Sequence, residues 1–73
     1  MKVIDVKDGV TKALREWAKR EGLMLAYRVE IDEATLEATV HEFVRDAEGK
    51  PQMNAAGTGA ETRVRTTRVS SLP

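Results

Sequence analysis

Between Asp8 and Gly22 the apolar residues Val10, Ala13, Leu14, Trp17 and Ala18 stand at i, i+3, i+4, i+7 and i+8. That spacing draws one continuous stripe down an α-helix. Asp8 is the expected N-cap, its carboxylate accepting from the free amides of the first turn at the positive end of the dipole. Thr11 stands where a glutamate or glutamine would complete a capping box. Gly22 suits the left-handed position just past a helix, with Leu23 packing back on the last turn. Glu16 and Arg20 form an i, i+4 pair, adding about 0.3–0.5 kcal/mol. A helix of this length, about 20 Å, is marginal in water by itself. Its stripe must be buried, and the rest of the chain has to supply the surface.

The clearest candidate for that surface is Leu23 to Asp32. Leu23, Leu25, Tyr27, Val29 and Ile31 alternate with Met24, Ala26, Arg28, Glu30 and Asp32, the period of a strand with one face covered. Asp32 to Thr35 reads as a four-residue turn. It would place Ile31 opposite Leu36, Val29 opposite Ala38 and Tyr27 opposite Val40 on the face toward the helix. Past Val40 the phase slips, with Glu42 falling inward and Phe43 outward. A bulge near His41 and Glu42 is expected to return Phe43 to the core. On the other face Glu30 meets Glu37, a repulsive pair that needs a cation.

Met1 to Val6 reads as a short strand, and Glu61 to Ser70 as a last one beside Leu36–Val44. Asp46 to Pro51 has strong turn chemistry, and residues 45–60 read as a flexible loop of small and polar residues. The expectation is a single α+β domain over residues 1–73. Its order is β-α-β-β-β, with one amphipathic helix on one face of a small, mainly antiparallel sheet. The last three strands form a meander. The first strand pairs either beside the second, in parallel, or at the other edge; a helical crossover mildly favours the parallel place.

Seventy-three residues without cysteine leave no disulfide framework and no thiolate metal site, which fits a reducing cytoplasm. No apolar run approaches the ~20 residues of a membrane span. The twelve basic and twelve acidic residues balance, so there is no bulk attraction to nucleic acid or anionic lipid. The charge is segregated: residues 28–48 carry seven acids against two bases, and residues 49–73 four bases against one acid.

Chemistry-bearing patterns are few. Gly57-Thr58-Gly59 lacks the lysine and following helix of a phosphate loop. His41-Glu42 has no second histidine with which to build a zinc site. Glu30, Asp32, Glu33 and Glu37 lack the rhythm of a calcium loop and read as a solvated turn. No nucleophile, base and oxyanion donor can be assembled, so neither an enzyme nor a cofactor is expected. Lys12, Arg15 and Lys19 make a basic ridge along the helix, a solvated face.

Two binding surfaces remain. The sheet face away from the helix would carry Met24, Ala26, Arg28, Thr39 and His41, mixed rather than uniformly charged. Lacking an internal cover, it suits a protein partner or a second copy in a homodimer. The alternative is nucleic acid gripped by Lys50, Arg63, Arg65 and Arg68. Arg63 and Arg65 share a strand face; Arg68 joins them only through an irregularity near Thr67. Against single-stranded nucleic acid, Trp17, Tyr27 and Phe43 are all claimed by the core, which leaves no base-stacking platform.

The α-β-β-β run resembles the start of double-stranded-RNA-binding domains, but no second helix and no lysine-rich helix start follow the last strand. The size, the Ala/Arg/Val/Glu cast and the close Thr67-Arg68-Val69-Ser70-Ser71-Leu72-Pro73 resemble the small accessory proteins of actinobacterial phages. That resemblance implies an infected cell's cytoplasm as the place of action and a host protein as target.

Overall fold

The computed structural model describes residues 1–73. Strand β1 is Lys2–Asp5, followed by a 3-10 turn over Val6–Asp8, and helix α1 is Lys12–Arg20. Strands β2 (Ala26–Ile31), β3 (Glu37–Phe43) and β4 (Thr62–Arg68) complete the chain. The four strands form one open sheet in the order β1-β2-β3-β4, every pair antiparallel. The α+β architecture read from the pattern is the one observed.

The helix starts later than its stripe. Gly9 has φ 98°, a left-handed conformation that closes the 3-10 turn, so Asp8 ends that turn instead of capping α1. The cap is Thr11, whose Oγ1 accepts from the Leu14 amide at 3.1 Å. Val10 therefore lies outside the helix and stays 43% exposed. The C-terminal end follows the expectation. The Leu23 amide donates to the Ala18 carbonyl at 2.8 Å and the Gly22 amide to Lys19 at 3.4 Å, with Gly22 at φ 72°. This is the double bond pattern of a Schellman cap, and it delivers Leu23 to the core.

Strand β1 lies beside β2 and antiparallel to it, not in the parallel place that a crossover favours. The reason is the helix. Nine residues at about 1.5 Å each make a rod of about 14 Å, long enough to run back along the four residues of β1, but that is not its path. α1 instead lies across the sheet. Val10 and Leu14 share a recess with Ile4 of β1, whereas the Gly22 carbonyl past its other end accepts from Arg65 of β4 at 3.3 Å. The chain re-enters the sheet at the end it left.

Trp17, Leu23, Val29, Ile31, Ala38 and Val40 form the core with Val69, flanked by Ile4, Leu14, Ala18, Ala26 and Leu36. In the β2–β3 hairpin Ile31 faces Ala38 and Val29 faces Val40, two residues further along β3 than read from sequence. The Asp32 carboxylate accepts from the Ala34 and Thr35 amides, and Leu36 turns at φ 62°. The connection is thus Glu33–Leu36. An even shift leaves Val29, Ile31, Ala38 and Val40 on their expected face.

The irregularity falls on β2 and not on β3. Ala26 pairs with Glu42 and Arg28 with His41, so Tyr27 is the extra residue of a bulge. Ala26 is thereby turned to the helix face and Tyr27 to the open one. β3 runs through without interruption, which leaves Glu42 buried on the inner face and Phe43 42% exposed on the outer. The expectation that Tyr27 and Phe43 join the core is overturned.

Residues 44–61 are arranged as two tight turns joined by backbone bonds. Asp46 and Lys50 close the first, Asn54 and Gly59 the second, and bridges pair Arg45 with Pro51 and Met53 with Ala60. After β4 the tail folds back over the helix. The Val69 amide donates to Leu36, Ser70 bonds the Glu21 carboxylate, and the Ser71 carbonyl accepts from the Trp17 indole.

Candidate functional site

The sheet face away from α1 follows from the pairing. Alternation places Val3 and Asp5 of β1 there, with Arg28 and Glu30 of β2. From β3 come Glu37, Thr39, His41 and Phe43, and from β4 Thr62, Val64, Thr66 and Arg68. No element covers these residues. Val3 is 47% exposed and Val64 62%.

A chain of charges crosses the middle of this face. Arg28 Nη1 donates to Asp5 Oδ2 at 3.1 Å, and its Nε lies 3.9 Å from Glu30. His41 Nε2 lies 2.9 Å from the same Glu30 oxygen. Asp5 is held below the usual carboxylate range, first by the Lys7 amide and then by Arg28. Beside the charges lies an aromatic patch: Tyr27 stands 5.0 Å from Phe43 and 6.1 Å from His41 between ring centroids. Val64, opposite His41, extends it. One end of the face is apolar and its middle ionic.

Of the residues assigned to this face from sequence, Arg28, Thr39 and His41 are there. Met24 is not; it sits in the turn before β2, 57% exposed. Ala26 is not either, because the bulge turns it inward against the core. Tyr27, Phe43, Val64 and Asp5 were missed. Phe43 and Val64 were legible from unbroken alternation, which places both outside; Tyr27 was not, since the bulge is a non-local outcome.

The arginine row divides between two faces. Arg63 and Arg65 lie on the helix side, where both Nε atoms donate to the single oxygen Glu42 Oε1 at 2.7 Å. They cover the end of the inner face that the short helix does not reach. Burial pushes the Glu42 pKa up, but the bonds from Arg65 and Arg63 outweigh it, and the carboxyl lies below its ordinary value. Arg68 is on the outer face, opposite Glu37, with no irregularity at Thr67. Lys50 closes the turn at Asp46, its ammonium 3.9 Å from Glu48. Arg63 and Arg65 therefore neutralise Glu42. The exposed Phe43 removes the stacking objection to single-stranded nucleic acid, but the outer face sets Asp5, Glu30 and Glu37 against Arg28 and Arg68.

No three histidines, cysteines or acids gather as metal ligands, and no helix is long and apolar enough to cross a membrane. No protein family, curated protein or solved structure matches the chain.

Proposed function

We propose that this protein is a non-catalytic protein-interaction module that pairs with a second copy of itself through the open sheet face. The observation that carries the reading is the uncovered surface where Phe43 and Val64 stand exposed beside an internally paired Asp5–Arg28–Glu30–His41 chain. Such a surface complements itself. Asp5 and Glu30 already have partners within the subunit, so stacking two copies buries paired rather than isolated charges in the middle of the face.

Area sets the strength. Four strands about 4.8 Å apart, of four, six, seven and seven residues at about 3.4 Å each, span on the order of 400 Å². A standard interface covers about 800 Å² on each partner. The dimer is therefore reversible and dissociates on dilution. In the infected cytoplasm that the phage resemblance implies, a larger host surface would compete for the same face.

Sedimentation equilibrium over a wide concentration range tests this. The expected result is a concentration-dependent dimer that Val64→Asp and Phe43→Glu abolish while leaving the helical signal intact. A monomer at every concentration overturns it, as does a dimer indifferent to both substitutions.

A further inference from the structure

A second apolar surface lies at the side of the molecule and shares only Tyr27, Arg28 and Phe43 with the open sheet face. Two recesses adjoin there. One, of about 270 Å³, lies between Ile4, Val10, Leu14 and Trp17. The other, of about 320 Å³, lies between Leu25, Phe43, Pro51 and Ala60. They share the wall formed by Val6, Met24, Ala26 and Tyr27 and so form one groove with a ridge across it. Val6, Val10 and Met24 are 47%, 43% and 57% exposed, although nothing in the local backbone requires apolar residues at those positions.

The charge on the groove is of one sign. The charged residues lining the first recess are Arg15 and Arg28, and the second has Arg45 alone; no acid lines either. In a chain with as many acids as bases, that is a selective arrangement. Arg28 is committed to Asp5. Arg15 and Arg45 pair with no carboxylate, and Arg45 gives one donor to the Gly49 carbonyl at 2.7 Å. The two unpaired guanidiniums thus belong to different recesses.

We infer that this groove receives an acidic peptide segment of a partner protein, two of its apolar side chains seated on either side of Met24 and its carboxylates meeting Arg15 and Arg45. Both recesses are open along one side, which suits side chains entering from a passing backbone better than a small molecule that must be enclosed. Met24 at the ridge has an unbranched, adaptable side chain that moulds to whichever apolar group arrives. Unpaired arginines at an apolar groove give both the attraction and the selectivity.

The test uses Trp17, the only tryptophan, which lines the first recess. Its emission and the amide shifts of the labelled protein are followed during titration with three probes. These are an acetylated peptide alternating leucine with glutamate, the leucine–lysine counterpart, and decanoate. The expected result is saturable binding of the glutamate peptide. That binding should weaken at least tenfold in Met24→Glu, in the Arg15→Glu/Arg45→Glu double variant, and at high salt. Val64→Asp, which attacks the sheet face, should bind the peptide unchanged, so that failure of this inference and failure of self-pairing are told apart. No binding, equal binding of the lysine peptide, preference for decanoate, or indifference to the groove substitutions would each overturn it.

Discussion

The indole Nε1 of Trp17 donates to the backbone carbonyl of Ser71 at 2.8 Å, closing a loop of chain 54 residues apart in sequence. Trp17 is 2% exposed, so its N–H has no access to bulk water as a substitute partner. Removing Ser70 to Pro73 strands that donor and uncovers the ring. The expected loss is about 1–3 kcal/mol in urea unfolding, with a red shift of the native Trp17 emission. Ser71→Ala keeps the carbonyl and should fall within about 0.5 kcal/mol of the parent.

The Glu42 cluster should respond non-additively. Either Arg63→Ala or Arg65→Ala leaves one guanidinium on the carboxylate and should cost about 1 kcal/mol. The double substitution leaves a buried, unpaired charge and should cost about 3–5 kcal/mol. A double-mutant cycle by chemical denaturation measures the excess.

Acid should destabilise the fold through Glu42 and Glu21, in addition to Asp5. Glu42 and Glu21 both have folded pKa values below their ordinary ones. For Glu42 the two arginine bonds overcome burial; for Glu21 the cause is the Ser70 hydroxyl and amide. Depressed values mean that the folded state binds fewer protons than the unfolded one. Their stabilisation is present above about pH 4.3, the unfolded value, and is lost as pH falls through the folded values. Stability against pH, followed by circular dichroism, should drop in that range. Ser70→Ala and Glu42→Gln should each flatten the slope.

The cap assignment can be checked by substitution. Thr11→Ala removes the side-chain acceptor for the Leu14 amide and should cost about 1 kcal/mol in thermal unfolding. Asp8→Ala should cost little, because the Asp8 carboxylate accepts no hydrogen bond from α1. Equal losses would return the helix start to Asp8.

Local chemistry was legible wherever a short window held the whole cause. The stripe through Leu14, Trp17 and Ala18, the Gly22–Leu23 cap and the inward set Val29, Ile31, Ala38 and Val40 needed only spacing and turn residues. The Asp8 cap was misread because Gly9 and Thr11 compete within three residues, and the outcome depends on a left-handed turn. The β1 direction depended on the path of a helix only nine residues long across the sheet. The Tyr27 bulge was placed on the wrong strand. Alternation reports a phase slip but not which partner absorbs it, and here burial of Glu42 against Arg63 and Arg65 decides. The candidate face was found in outline, yet its aromatic members Tyr27 and Phe43 were assigned to the core.

The strand order β1-β2-β3-β4 repeats the order in the chain. No hairpin has to wait for a distant segment to slide between its arms, so the search for the sheet is short. Refolding of such locally wired chains runs on the order of milliseconds. The slow step, where there is one, is the tail reaching back to the helix: it closes the longest loop for the fewest contacts. Stopped-flow traces of Trp17 emission would then lag behind strand formation seen by far-ultraviolet dichroism.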